Sequence, residues 1–90
     1  MRIEKSDLEE LILDVAKQKF GRSEFTRRSL LEAVEDRLRS LGVWETIDDH
    51  LSGSSGLKSR GLASIDWRIT DLKKSLRLLN IARDRWKLNP

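Results

Sequence analysis

Asp48, Asp49, His50 and Ser52 bring together the residue types of a hydrolytic triad within one short stretch. Adjacent residues rarely converge on one reacting centre, and nothing nearby suggests an oxyanion hole. His50 is the only histidine, which excludes a histidine-rich metal site within one chain, and two carboxylates beside it make at most a weak surface site. Asp71-Leu72-Lys73 has the D-x-K spacing of a nuclease fragment but falls on a predicted helix, without the sheet that would present it. Gly53, Gly56 and Gly61 match neither G-x-G-x-x-G nor the Walker spacing. With no cysteine, thiolate chemistry and disulfides are excluded together. These residues lead us to expect no enzyme, no metal and no cofactor.

Charge points elsewhere. Residues 1–50 hold nine Lys/Arg and twelve Asp/Glu, whereas residues 51–90 hold nine Lys/Arg and three acids, so a net −3 half precedes a net +6 half. A basic C-terminal half favours a polyanionic partner. The candidate contacts to DNA are Arg68, Thr70, Lys73, Lys74 and Arg77 on a third helix, Lys58 and Arg60 leading into it, Arg83, Arg85 and Lys87 beyond it, and Arg27 and Arg28 at the start of a second helix. Arginine, lysine and threonine are among the side chains that read base edges and phosphates. Arg27 and Arg28 oppose their helix dipole, which suits a phosphate contact; pairing with Glu24, Glu32 or another acid is the alternative.

Ninety residues make one domain with a modest core. Ser6 and Glu9 have capping-box spacing, and Leu8, Leu11, Ile12, Val15 and Ala16 form a stripe that predicts a first helix over residues 7–19, ended by Gly21. Thr26 is the expected cap of a second helix running from Arg27 to Leu41, with Leu30, Leu31, Val34, Leu38 and Leu41 on its apolar face. Phe25, just before that cap, either staples the helix or adds a short strand. Trp44, Ile47 and Leu51 suggest a short extra helix, and residues 52–56, SGSSG, read as a flexible loop.

Ile65, Ile69, Leu72, Leu76 and Leu79 predict the third helix, with Ser64 before it as the cap. After Asn80 the period changes: Ile81, Trp86 and Leu88 alternate with Arg85 and Lys87, which predicts a hairpin turning near Arg83-Asp84. Trp67 lies off the helical stripe; packing on the hairpin near Trp86 is the expected role, and exposure for stacking the alternative. The fold expected is mainly α with a small β-hairpin, a winged helix-turn-helix of three main helices and a C-terminal wing. No apolar run is long enough to span a bilayer, and MRIEKSDLEELILD lacks a signal-peptide core, so a cytoplasmic protein is expected.

The order FTRRSLLEAV, a polar segment, WRITDLKKSLRLLN and then ARDRWKLNP resembles bacterial winged-helix domains, in particular the N-terminal domains of Mrr-type restriction endonucleases and small relatives. Those domains pair a W-x-x-x-x-x-x-L-K-K helix with a short wing ending in an aromatic, a basic residue and leucine. Trp67, Leu72, Lys73 and Lys74 fall near the first pattern, and Trp86, Lys87 and Leu88 match the second. The usual glycine between helix and wing is absent, with Arg77 or Asn80 near its place. The resemblance covers about residues 25–90 and implies duplex DNA recognition without catalysis, in a small regulatory or accessory factor. A protein-interaction module on the same fold, or a homodimer, is the alternative.

Overall fold

The structure is a computed structural model that describes residues 1–51 and 59–89. Three helices, α1 (Lys5–Phe20), α2 (Arg27–Ser40) and α3 (Arg60–Lys74), precede a hairpin of β1 (Leu78–Ala82) and β2 (Arg85–Leu88). Among the described residues, a 3₁₀ turn, Thr46–Asp49, lies between α2 and α3. None of the helices is long and apolar enough to cross a membrane, among the described residues.

The apolar stripes of the three helices meet in one core, closed at one end by Phe25, Leu78 and Trp86. In α1 the stripe buries Leu8, Ile12, Val15 and Ala16, while Leu11 is half-buried. The helix starts earlier than its expected capping box: Glu4 occupies the cap position and makes no side-chain cap bond, so Ser6 and Glu9 lie within the helix. In α2 the Thr26 hydroxyl accepts from the Ser29 backbone N–H, and the Ser29 hydroxyl accepts from the Thr26 N–H in return. This reciprocal cap satisfies two donors that the first turn leaves without intrahelical partners. Leu30, Ala33, Val34 and Leu38 are buried, but Leu41 lies just past the helix end and is 56% exposed.

Helix α3 is displaced along the sequence from the expected span. Ser59, not Ser64, caps it, accepting from the Leu62 N–H at 3.2 Å. Its buried residues are Gly61, Ile65, Ile69 and Leu72. It ends at Lys74 because Leu76 adopts φ of 63°, a left-handed conformation that breaks the helical repeat. Leu76 is thereby exposed, and Leu78 enters the core as the first residue of β1. A stripe counted at helical spacing through Leu76 and Leu79 therefore crosses a chain reversal, and Arg77 lies beyond the last turn. The basic residues at the helix end are Lys73 and Lys74.

The strands are antiparallel, pairing Leu78 with Leu88 and Asn80 with Trp86, with a register irregularity between Asn80 and Ala82. The Asn80 side-chain amide bridges the irregularity by donating to the Ala82 and Arg85 carbonyls. The turn falls at Arg83-Asp84, as expected, with Asp84 at φ of 53°. Phe25 forms a one-residue third strand, exchanging two 2.9 Å backbone bonds with Trp86, and its ring stacks on Phe20 at 4.7 Å between centroids. The region of the extra helix is shorter than expected: Ile47 and Leu51 are exposed, and the buried residue is Asp48. Trp44 is half-buried over Gly61. The SGSSG stretch lies outside the described residues.

Candidate nucleic-acid interface

Three elements converge on the Trp86 ring. The Arg27 guanidinium lies 5.1 Å from its centroid, and the Lys73 ammonium 6.0 Å. Arg27 also ties α2 to α3. Its Nε pairs with the Asp66 carboxylate, and one terminal nitrogen donates to the Asp66 carbonyl at 2.8 Å and to Thr70 Oγ1 at 2.7 Å. The Arg27 backbone N–H donates to the Asp84 carboxylate at 3.1 Å, which fastens the hairpin turn to the start of α2. An acid at a helix N-terminus has the favourable sign for the dipole. The dipole cost expected from Arg27 and Arg28 is thus met in part by a carboxylate far along the sequence.

Around the axis of α3, one flank carries Asp66, Thr70 and Lys73 toward α2 and the hairpin. The opposite flank sets Gly61 beneath Trp44. Opposite the core, Arg60, Ser64, Trp67, Asp71 and Lys74 recur every three or four residues and so share one outward stripe. Trp67 is 63% exposed at its centre. Packing of Trp67 on the hairpin is therefore not what the fold provides, because Arg27 and Lys73 already flank Trp86 and Trp67 faces away from the core.

The expected contact residues separate by their partners. Arg27 and Thr70 are engaged with each other and with Asp66. Arg28 pairs with Glu32 at 3.2 Å, Arg68 with Asp71 at 3.1 Å, Arg77 with Glu10 at 2.8 Å and Arg85 with Glu24 at 2.7 Å. The Arg28 pair is highly exposed, so it contributes little to stability. Arg60, Lys73, Lys74, Arg83 and Lys87 have no carboxylate partner among the described residues. Arg60, Lys74 and Lys73 lie along α3, and Arg83 is at the turn docked on α2. Lys87 and Arg77 instead line a groove of about 1180 Å³ between α1 and the hairpin, with Leu13, Leu76 and Leu88. Lys58 lies outside the described residues.

The carboxylates beside His50 face different partners. Asp48 is buried and accepts from the Met1 amino group and the Glu45 N–H. Asp49 accepts from Arg39 and from the Trp44 indole N–H, and these two donors hold its carboxyl below the ordinary value. Asp48 and Asp49 are thus engaged with separate donors, and Ser52 lies outside the described residues. No group of three or more potential metal ligands is gathered among the described residues.

No protein-family model matches the chain, and no curated protein or solved structure is significantly similar to it. The site therefore rests on its own geometry. For Trp67 the structure realises the alternative reading, exposure, and not the expected packing; its position off the apolar stripe was the available signal. Pairing with an acid was the alternative expected of Arg27, but the sequence carries no local signal that the acid is Asp66 on α3.

Proposed function

We propose that the chain is a non-catalytic, winged helix-turn-helix domain that binds duplex DNA. In this reading α3 enters the major groove and the β1–β2 hairpin acts as the wing. The observation that carries it is the set of cations without a carboxylate partner among the described residues along α3 and at the hairpin turn, Arg60, Lys73, Lys74 and Arg83, on elements locked together through Arg27. Cations without carboxylate partners on rigid elements suit a polyanion whose charges are regularly spaced. Arg28 at the start of α2 supplies a further backbone contact once its exposed pair opens. The residue pattern over 25–90, which resembles the N-terminal domains of Mrr-type restriction endonucleases, supports the same reading, and a small regulatory or accessory factor is the role we assign to it.

The test is a titration with mixed-sequence duplex, followed by anisotropy at about 50 and 200 mM salt. Four phosphate contacts give a slope near −3.6 in log K against log salt, a loss of roughly a hundredfold over that range. Changing Lys74 and Arg83 together to alanine lowers the slope by about 2. Absence of binding at the lower salt refutes general DNA affinity. The exposed indole of Trp67 favours one other reading, a protein-interaction module that uses the same face of α3.

A further inference from the structure

The outward stripe of α3 is unlike a surface made only to hold phosphates. Arg60 and Lys74, at its two ends, have no carboxylate partner among the described residues. Between them stand Ser64, Trp67 and Asp71. A carboxylate repels a phosphate backbone. In the major groove, however, a carboxylate accepts from the exocyclic amine of cytosine. An indole has no charge to offer a phosphate, and its large apolar surface needs an apolar partner. The apolar group that the major groove presents on a base edge is the C5-methyl of thymine.

Resting on the DNA-binding reading, we infer that Trp67 is a specificity-determining residue that packs on a thymine methyl, with Asp71 accepting from a base amine one helical turn further along. The stripe's charge pattern fits this occupant: cations at both ends reach the phosphates on either side, and the middle faces bases. Four residues of α-helix rise about 6 Å, close to two base-pair steps of about 3.4 Å, so the two contacts fall on base pairs about two steps apart. Asp71 is held in place by Arg68 at 3.1 Å, a side chain only 17% exposed, so the acceptor is fixed from the helix itself.

The experiment selects tight sites from a randomised duplex pool. It then replaces each thymine of a selected site by deoxyuridine, which removes the methyl and keeps every hydrogen-bonding group. The wild-type chain is expected to bind three- to tenfold more weakly when one particular thymine loses its methyl. Trp67→Ala is expected to bind the thymine site at least tenfold more weakly and to be indifferent to that methyl, whereas Trp67→Phe retains part of the discrimination. Because Trp67 is exposed, the variants are expected to melt as the parent does, which circular dichroism checks. Equal wild-type affinity for every deoxyuridine site overturns the inference, as does an unchanged Trp67→Ala. Both outcomes leave salt-dependent DNA binding intact. A dimer in sedimentation equilibrium that Trp67→Ala converts to monomer also overturns it, assigning the face to a second copy. Failure of any duplex to bind overturns the DNA-binding reading as a whole.

Discussion

Replacing Arg27 by alanine separates two roles that its position allows, a phosphate contact and an internal tie. The Arg27 and Asp66 side chains are 27% and 22% exposed, and Arg27 reaches Asp66, Thr70 and the Trp86 face together. Hydrogen bonds to charged groups contribute about 1.5–3 kcal/mol each, but these share one side chain and are not additive. Removing one partner of a fully buried ion pair costs about 3–5 kcal/mol, and an exposed pair contributes about 0–1. The partial exposure here places the loss from Arg27→Ala between those limits, at about 2–3 kcal/mol. For a domain of this size each kcal/mol lowers the melting midpoint by about 4–8 °C, so a fall of roughly 10–20 °C is expected. Urea denaturation of the parent, Arg27→Ala, Asp66→Ala and the double variant gives the coupling, expected to be at least about 1 kcal/mol. Arg28→Ala, whose side chain is 87% exposed, is the control and stays within about 0.5 kcal/mol of the parent. A loss below about 0.5 kcal/mol for Arg27→Ala, or additive single variants, refutes the tie and returns Arg27 to the candidate phosphate contacts.

Two further outcomes are expected. A Cβ at Gly61 would stand 2.2 Å from Trp44 Cη2, and the indole is held by the Asp49 carboxylate and by Arg39 at 4.7 Å. Alanine ordinarily favours a helix by about 1 kcal/mol over glycine, yet overpacking against this ring makes Gly61→Ala a net loss of about 1–2 kcal/mol, and a neutral variant in urea denaturation would show that α3 yields freely. In the 90-residue chain, hydrogen bonds to Glu45 and Asp48 raise the pKa of the Met1 amino group above its ordinary 8.0, despite desolvation. That stabilisation is fully present below the unfolded value and is lost as pH rises through the raised folded value. The melting midpoint is thus expected to decline above pH 8, and α-N-acetylation to lower it at pH 7 and remove that part of the decline. Identical pH profiles for the two chains would refute the contact.

The secondary structure was legible where a single periodicity ran between clear stops. Thr26 with its following stripe predicts α2 nearly to its last residue, and the change from helical to alternating spacing predicts the hairpin and its Arg83-Asp84 turn. The third helix was less legible because Leu76 and Leu79 continue the helical spacing by coincidence. Leu76, which ends the helix, is left-handed while Leu78 and Trp86 are buried in the core, and a branched side chain gives no warning of positive φ.

The candidate site divides in the same way. The sequence by itself determined the charge asymmetry, the order of elements and the concentration of cations from Arg60 onward, since these depend on residue type and local spacing. Which cations have no carboxylate partner among the described residues was decided only by the tertiary structure. Arg27 meets Asp66 and Arg85 meets Glu24 across long stretches of chain, and Lys87 turns to the α1 side of the hairpin. Tertiary packing also left Trp67 facing outward. The core takes only one face of α3, and the flank nearest the hairpin was already filled by Arg27 and Lys73 against Trp86. An ion pair is a distance in space, and spacing along a chain fixes that distance only within a few turns of one helix.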